Sequence, residues 1–96
     1  MVSEYDKRQL KLMLEMIDFF EKDSLSLSEI INNLSALVDV LESIDEDWKD
    51  KYRQWWWDLE QVYAVALDSD LPLDENDKKI ISNALSKIRS MVTSLL

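Results

Sequence analysis

Apolar side chains recur every three or four residues along this chain, as on one side of a helix, and they nowhere alternate as in a strand. The clearest stretch is residues 28–44, where the apolar positions share one arc and the polar positions the other. The apolar arc holds Ile30, Ile31, Leu34, Leu37, Val38, Leu41 and Ile44. Ser26 and Glu29 have the spacing of a capping box, in which each side chain binds the other residue's N–H. The pattern predicts a helix over residues 27–43.

Three further helices are predicted from the same periodicity. The first covers residues 4–22 and has only a narrow polar stripe. The third covers residues 46–68, with Asp45 as its N-cap. The fourth covers residues 75–95, with Asp74 as its N-cap. Aspartate is among the residues that favour this position, because its carboxylate accepts a hydrogen bond from a free N–H of the first turn.

The joints between the predicted helices are short. Pro72 disfavours helical angles at Leu71 and so marks the joint between the third and fourth helices. Helices of this length joined by a few residues pack as antiparallel neighbours. We therefore predict an all-α fold, an antiparallel up-down four-helix bundle that forms one domain over residues 1–96.

The composition excludes several classes of functional site. The 96 residues include no His, no Cys and no Gly. Structural zinc sites and His-dependent catalytic triads need the first two residue types, and phosphate-binding loops need the third. No apolar run approaches the roughly 18 residues of a membrane span, and no signal-peptide core follows the first residues. We expect a cytoplasmic protein with no cofactor, no metal and no membrane partner.

Two chemical roles of the carboxylates, acid–base catalysis and calcium binding, are not expected. A carboxylate pair performs acid–base chemistry only where a desolvated pocket separates the two pKa values, and these acids lie on predicted outer faces. The segment Asp68–Asp70 resembles the start of a calcium loop, but the glycine that such a loop needs at its sixth position is missing. We expect no enzymatic activity.

The net charge of −9, from 20 acidic and 11 basic residues, is concentrated in one part of the sequence. Residues 12–48 hold ten carboxylates against Lys22 alone, so they account for the whole excess. Because the second and third helices run antiparallel, the end of one and the start of the other share a pole of the bundle. We expect the excess to gather largely towards that pole. Six carboxylates there are called the acidic cluster: Asp39, Glu42, Asp45, Glu46, Asp47 and Asp50.

Two explanations of the acidic cluster remain open. Its members are either helix caps and a solvated face that keeps the protein soluble, or a surface that steers a basic protein partner towards the molecule. Nucleic acid is not an expected partner, because its phosphates carry the same sign of charge as the cluster.

Trp57 is the most unusual side chain of the third helix. Consecutive helical side chains point about 100° apart, so Trp55 and Trp56 flank the apolar arc while Trp57 falls on the polar face. The ring either lies along a neighbouring helix or over Arg53, four residues earlier, or it is an exposed anchor for a partner. The predicted partner-binding residues are therefore the acidic cluster and Trp57.

The chain is small, acidic and helical in pattern, and it contains the segments LKLMLEMIDFFE (residues 10–21) and WWWDLE (residues 55–60). In length, charge and helix arrangement this chain resembles the immunity proteins of bacterial toxin systems, those of the nuclease colicins and of contact-dependent inhibition. The resemblance implies a bacterial protein that binds a basic toxin domain, such as a nuclease, and blocks access of its substrate. The chain lacks the adjacent pair of tyrosines that the nuclease-colicin proteins present to the toxin, so no site residue is carried over.

Two other functions remain open. The first predicted helix has more apolar surface than one neighbour covers, and Leu12, Met16 and Phe19 lie on its flank. A homodimer that buries this flank would be a structural or adaptor module, so the sequence is compatible with a monomer and with a homodimer. A secretion chaperone for a basic protein would share the acidity.

Overall fold

The computed structural model describes residues 2–96, which form four α-helices. They are α1 (Glu4–Glu21), α2 (Leu27–Asp39), α3 (Glu46–Ser69) and α4 (Glu75–Leu95). No strand occurs in this part of the chain. The predicted all-α four-helix bundle is confirmed, and the predicted ends of α1, α3 and α4 lie within one residue of the observed ends.

Polar side chains cap the starts of α1, α2 and α4. Ser26 Oγ accepts a hydrogen bond from the Glu29 N–H, and the Glu29 carboxylate accepts one from the Ser26 N–H, both at 3.1 Å. The bond from the Ser26 N–H lowers the pKa of the Glu29 carboxyl. Asp74 and Asp77 form the same reciprocal pair at the start of α4. Asp45 occupies the predicted N-cap of α3, but its side chain makes no capping hydrogen bond.

α2 ends four residues before the predicted end at residue 43, so that part of the prediction is wrong. The Glu42 and Ser43 N–H groups donate to the Asp6 carboxylate of α1, at 2.9 and 2.7 Å. In a continuing helix these N–H groups would donate to the carbonyls four residues earlier. Asp6 therefore binds the donors that another turn of helix needs, and the chain leaves the helix after Asp39.

Hydrogen bonds between helices show the antiparallel order. The Tyr52 hydroxyl of α3 donates to the Leu34 carbonyl of α2 at 2.8 Å. One turn later, the Trp56 Nε1–H donates to the Ile31 carbonyl, also at 2.8 Å. Each helix packs against its neighbours in the sequence, and α1 also packs against α4, which closes the ring of four helices. We call the end that contains the α2–α3 loop the near end, and the end that contains the other two joints the far end.

The core lies between the four helices and holds apolar side chains from each of them. The completely buried ones are Leu10, Met13, Ile17, Ile30, Leu34, Tyr52, Leu59, Ala84, Ile88 and Val92. Full burial of an aliphatic side chain of this size stabilises a fold by about 1.5–3 kcal/mol. Two charged residues, Asp6 and Lys49, are also buried, at the near end of this core.

The helices differ in length, and this difference staggers the far end. α2 has 13 residues and α3 has 24, so α3 is about 16 Å longer at about 1.5 Å per residue. Because Trp56 lies opposite Ile31, the last third of α3 extends past the start of α2. Arg89 of α4 contacts Glu21 at the end of α1, so the first turns of α4 also extend past α1. We call residues 61–80 the overhang.

Candidate functional site

Three members of the acidic cluster surround one cation at the near end. The Arg53 guanidinium lies 3.4 Å from the Asp39 carboxylate of α2. The carboxylates of Glu46 and Asp50, both in α3, lie 3.9 and 3.6 Å from it. All four side chains are at least 43% exposed, so each pair contributes at most about 1 kcal/mol to stability. The local consequence is that Arg53 holds carboxylates from two helices in one place.

The other three members of the acidic cluster are not bound to Arg53. Glu42, Asp45 and Asp47 are exposed, and they form no ion pair with the side chains of residues 2–96. No side-chain cation therefore compensates their negative charge. The structure places all six predicted acids at the near end, and three of them share a common cation.

Two buried charged residues hold the loop that carries the acidic cluster. Asp6 is fully buried and accepts hydrogen bonds from the Glu42 N–H, the Ser43 N–H and the Ser43 hydroxyl. The Lys49 ammonium donates to the Leu41 carbonyl at 2.9 Å. The loop is thereby bound to α1 on one side and to α3 on the other, and its carboxylates have a fixed base.

Hydrogen bonding outweighs burial in setting the charge of Asp6. Burial alone would raise the pKa of this carboxyl, because a low dielectric penalises the charged form. The hydrogen bonds from Ser43 and Glu42 act in the opposite direction, and the nearby charge of Lys49 adds to them. Together they lower the pKa of Asp6 below its ordinary value. Asp6 is therefore a carboxylate at neutral pH, and the hydrogen bonds it accepts are charge-assisted.

Asp6 and Lys49 were absent from the predicted site, although the periodicity marks both. Asp6 precedes Leu10, Met13 and Ile17 by four, seven and eleven positions, and these four residues are the buried side of α1. Lys49 has a corresponding place on the buried side of α3. Lys and Asp are almost never fully buried unless they are paired. A charged residue in register with the apolar stripe was the signal that could have identified each of them.

Trp57 lies on the polar face of α3, as predicted, and 53% of it is exposed. The centre of its ring lies 6.5 Å from that of Trp56, and the two rings are tilted by 42°. The Arg53 guanidinium is directed to the carboxylates of the acidic cluster. The cation that lies over an aromatic ring is Lys87, 5.9 Å from the centre of Trp55. More than half of Trp57 is thus accessible to a partner.

A groove of about 400 Å³ between α2 and α3 joins Trp57 to the acidic cluster, and we call it the near-end groove. Asp50 and Arg53 line one part of it, and Trp56 and Trp57 line another. Its remaining lining residues are Ser35, Val38 and Gln54. Two predicted site residues, Asp50 and Trp57, are therefore brought together. Arg53, which lies between them on α3, was not among the predicted site residues either.

Hydrogen bonds between α2 and α3 hold Trp56, which lines the near-end groove, and Tyr52 beneath it. The Trp56 indole is bound to the Ile31 carbonyl, and the Tyr52 hydroxyl, one turn earlier, is bound to the Leu34 carbonyl. Burial raises the pKa of the Tyr52 hydroxyl, and the charge of Asp39 raises it further, so Tyr52 keeps its proton and remains a donor. Trp56 is therefore held in place before any partner arrives, and binding does not have to order it.

The excess charge is not confined to the near end, and the expectation that it gathers largely at one pole is wrong. Asp18, Glu21 and Asp23 lie at the end of α1, and Glu29 lies in the first turn of α2. All four residues belong to the far end. Arg89 of α4 pairs with two of them, at 3.0 Å from Asp18 and 2.5 Å from Glu21. The antiparallel helices therefore present negative charge at both ends.

The described residues hold no arrangement typical of a metal site. In residues 2–96 no group of three or more acidic side chains is placed so that it could hold a metal ion. The near-end groove instead combines one carboxylate and one guanidinium, 3.6 Å apart, with two indole rings. Such a surface can bind charged and apolar groups of another molecule.

Comparisons with known proteins found no relative of this chain. No protein-family model, curated protein or solved structure matches the chain. Within the part of the chain described by the structure, every helix is too short or too polar to cross a membrane. The functional interpretation therefore depends on the geometry of the two ends.

Proposed function

We propose that this protein binds a basic protein domain through the near-end groove and the acidic cluster and thereby neutralises it, without catalysis. The observation that supports this proposal is the position of the exposed Trp57 beside Arg53 and the Asp50 carboxylate, in one groove. Tryptophan is enriched among interface hot spots, and complementary charge sets the association rate. A toxin domain that acts on nucleic acid is basic because it must bind phosphates. The proposed role is that of a cytoplasmic immunity protein against such a bacterial toxin.

The proposed complex forms in two physical steps. The uncompensated carboxylates of Glu42, Asp45 and Asp47 attract the basic surface over a distance set by the ionic strength. Trp57 then buries its ring against the partner, which contributes affinity because a large aromatic surface leaves water. The bound protein covers the cationic surface that the toxin needs for its polyanionic substrate, and substrate is excluded.

The first test identifies the partner from gene order. An immunity gene directly follows its toxin gene, so the product of the preceding gene is the protein to express. Cells that this product kills should grow again when the present protein is co-expressed. The association rate of the two purified proteins should fall at least about tenfold between low and physiological salt. An association rate that does not depend on salt would contradict the proposal. If the product of the preceding gene is exported and harmless, the secretion-chaperone alternative is favoured.

Trp57→Ala tests the anchor in the same complex. We expect about 30-fold weaker binding, which corresponds to the roughly 2 kcal/mol of an interface hot spot. The midpoint of thermal unfolding should hardly change, because more than half of the residue is exposed. Val65→Ala is the matched control, since Val65 lies on the same helix, is 62% exposed and does not line the groove. A large loss of stability in Trp57→Ala would show that the ring serves packing instead.

A homodimer is the second candidate, and the exposed flank of α1 favours it. Leu12 is 37% exposed and Phe19 is 43% exposed. Leu12 and Met16 line a shallow depression against α2 together with Leu37. Sedimentation velocity at micromolar concentration decides this question. A dimer formed through the flank should dissociate in the Leu12→Gln/Phe19→Gln variant, whereas a wild-type monomer at every concentration excludes this function.

A further inference from the structure

The far end of the bundle contains a second groove, beside the overhang and the joint between α1 and α2. It has a volume of about 460 Å³, and we call it the far-end groove. Six apolar side chains line it: Phe20, Leu25, Leu27, Leu73, Ile81 and Leu85. Ile81 and Leu85 are 4% and 2% exposed and form the floor, whereas the other four are half-buried. The groove is therefore apolar at its base and open to solvent above it.

The far-end groove lies where the overhang, which lacks a second pair of helices to pack against, meets the end of α1 and the start of α2. In a four-helix bundle each helix buries its apolar stripe against the others. Past the end of α1 and the start of α2, α3 and α4 have only each other, so part of their apolar stripe stays open. The exposed apolar residues of the overhang are Val65, Leu67, Leu71 and Ile80. At the near end, by contrast, the α2–α3 loop is bound to the start of α1.

Negative charge surrounds the far-end groove. Residues 18–29 hold four carboxylates against Lys22, and residues 68–79 hold five against Lys78 and Lys79, so each segment has a net charge of −3. α1 and α3 both end here without a basic residue in the last turn. The positive dipole ends of α2 and α4 lie at the same end of the bundle, so the helix dipoles largely cancel and the side chains set the charge there. Arg89 pairs with Asp18 and Glu21 and offsets one of these charges, and the acidic excess that remains favours a cationic ligand.

We propose that the far-end groove binds a basic amphipathic helix of a partner protein. The apolar face of such a helix presents side chains at positions i, i+3, i+4 and i+7, and the groove offers apolar side chains from three segments in one depression. The lysines or arginines that flank this face then meet the carboxylates around the groove. This binding uses no residue of the near-end groove, so it holds whether or not the function proposed above is correct.

Two other occupants fit the far-end groove less well. A second copy of the chain carries the same net charge of −9, and two far ends brought together would repel each other. A small molecule is usually held by a few polar groups directed into its pocket. Here the carboxylate of Glu21 is already paired with Arg89, and the polar lining residues Asp23, Ser26 and Lys78 are exposed.

The test uses a synthetic peptide of about 18 residues, long enough to form a helix, with leucine on one helical face and lysine elsewhere. One control peptide has glutamate in place of lysine. The other has the lysines and leucines in scrambled order, so that no face is apolar. Binding is measured by fluorescence anisotropy of the labelled peptides at physiological salt. We expect the amphipathic lysine peptide to bind at least about tenfold more tightly than either control.

Paired variants locate the binding site. Leu25 and Leu73 lie in joints and are half-buried, so Leu25→Gln/Leu73→Gln removes apolar surface without changing a helix. It should weaken binding of the lysine peptide at least about tenfold. The control Val65→Gln/Leu67→Gln makes the same change at two exposed residues of the overhang that do not line the groove. This control and Trp57→Ala should both leave the affinity unchanged.

Several outcomes would overturn the proposal. Equal affinity for the scrambled peptide would show attraction by charge alone, and equal losses in the two double variants would deny the groove a specific role. A loss of binding in Trp57→Ala would place the peptide at the near end. A dimer that Leu25→Gln/Leu73→Gln converts to a monomer would make a second copy the occupant. If that variant does not fold, amide chemical-shift changes in the wild type decide, and changes confined to the near end contradict the proposal.

Discussion

Asp6 is the residue on which the structure of the near end depends most. Asp6→Ala should lower the free energy of unfolding by about 2–3 kcal/mol, because it leaves the N–H groups of Glu42 and Ser43 without their charged acceptor. Chemical denaturation measures this change. Glu4→Gln, at an exposed acid two residues earlier, is the matched control and should have almost no effect. An equally small effect of Asp6→Ala would mean that the loop does not need the carboxylate.

The same carboxylate predicts how stability depends on pH. Its pKa is lower in the folded chain than the ordinary value of 3.8, so its contribution is complete above that value and is lost as the pH falls through the folded pKa. The difference in stability between the wild type and Asp6→Asn should therefore be constant at neutral pH and shrink below about pH 3.8. Denaturation at several pH values checks this, and a difference that grows on acidification would contradict the assigned cause.

The environment of a single residue was predictable where it depends only on residues nearby in the sequence. The position of Trp57 on the polar face follows from the helical periodicity of its own neighbours, whereas its exposure was left open by the sequence and is given by the structure. The role of Asp6 depends on donors 36 and 37 residues away, and that of Arg53 depends on Asp39, 14 residues away. No local pattern contains such pairs, because they form only after the helices pack.

At the scale of the helices, two caps offer a direct comparison. Ser26→Ala should destabilise the protein by about 1 kcal/mol, because the Ser26 hydroxyl accepts a hydrogen bond from the first turn of α2. Asp45→Ala should cost clearly less, since the Asp45 side chain makes no capping hydrogen bond. Thermal and chemical unfolding of both variants provide the measurement. An equal cost at the two positions would contradict this prediction, because Asp45 would then stabilise α3 as much without a capping hydrogen bond as Ser26 stabilises α2 with one.

Helix starts were predictable and one helix end was not, for the same physical reason. The capping residues Ser26 and Asp74 act within one turn of their own helix, so a four-residue pattern identifies them. The apolar stripe of α2 continues through Leu41, which is indeed buried. The helix nevertheless stops at Asp39, because a side chain of α1 binds the next backbone donors. The continued apolar pattern predicted burial correctly and helical geometry wrongly.

At the scale of the whole molecule, the order of the helices followed from the sequence, while their stagger did not. Short joints favour antiparallel neighbours, and the structure has that order. The overhang arises because α3 continues past the start of α2 at the far end. The distribution of charge between the two ends, like the stagger, did not follow from the sequence. Acids that are close in sequence, such as Asp23 and Asp39, lie at opposite ends of α2.

A net charge of −9 should destabilise the fold at low salt and serve association with a basic partner at the same time. Glu42→Gln and Glu15→Gln separate the two effects, since each removes one exposed carboxylate that forms no ion pair within residues 2–96. Both variants should raise the midpoint of thermal unfolding slightly in dilute buffer, and added salt should remove this gain because it screens the repulsion.

Only Glu42→Gln should slow association with the basic partner, because Glu42 belongs to the acidic cluster whereas Glu15 lies in the middle of α1. Stopped-flow kinetics at low salt measures this difference. A net-charge effect alone would slow both variants equally, and the near end would then have no special part in steering. Slower association in Glu42→Gln, together with higher stability, would show that this carboxylate is retained for binding at a cost to the fold.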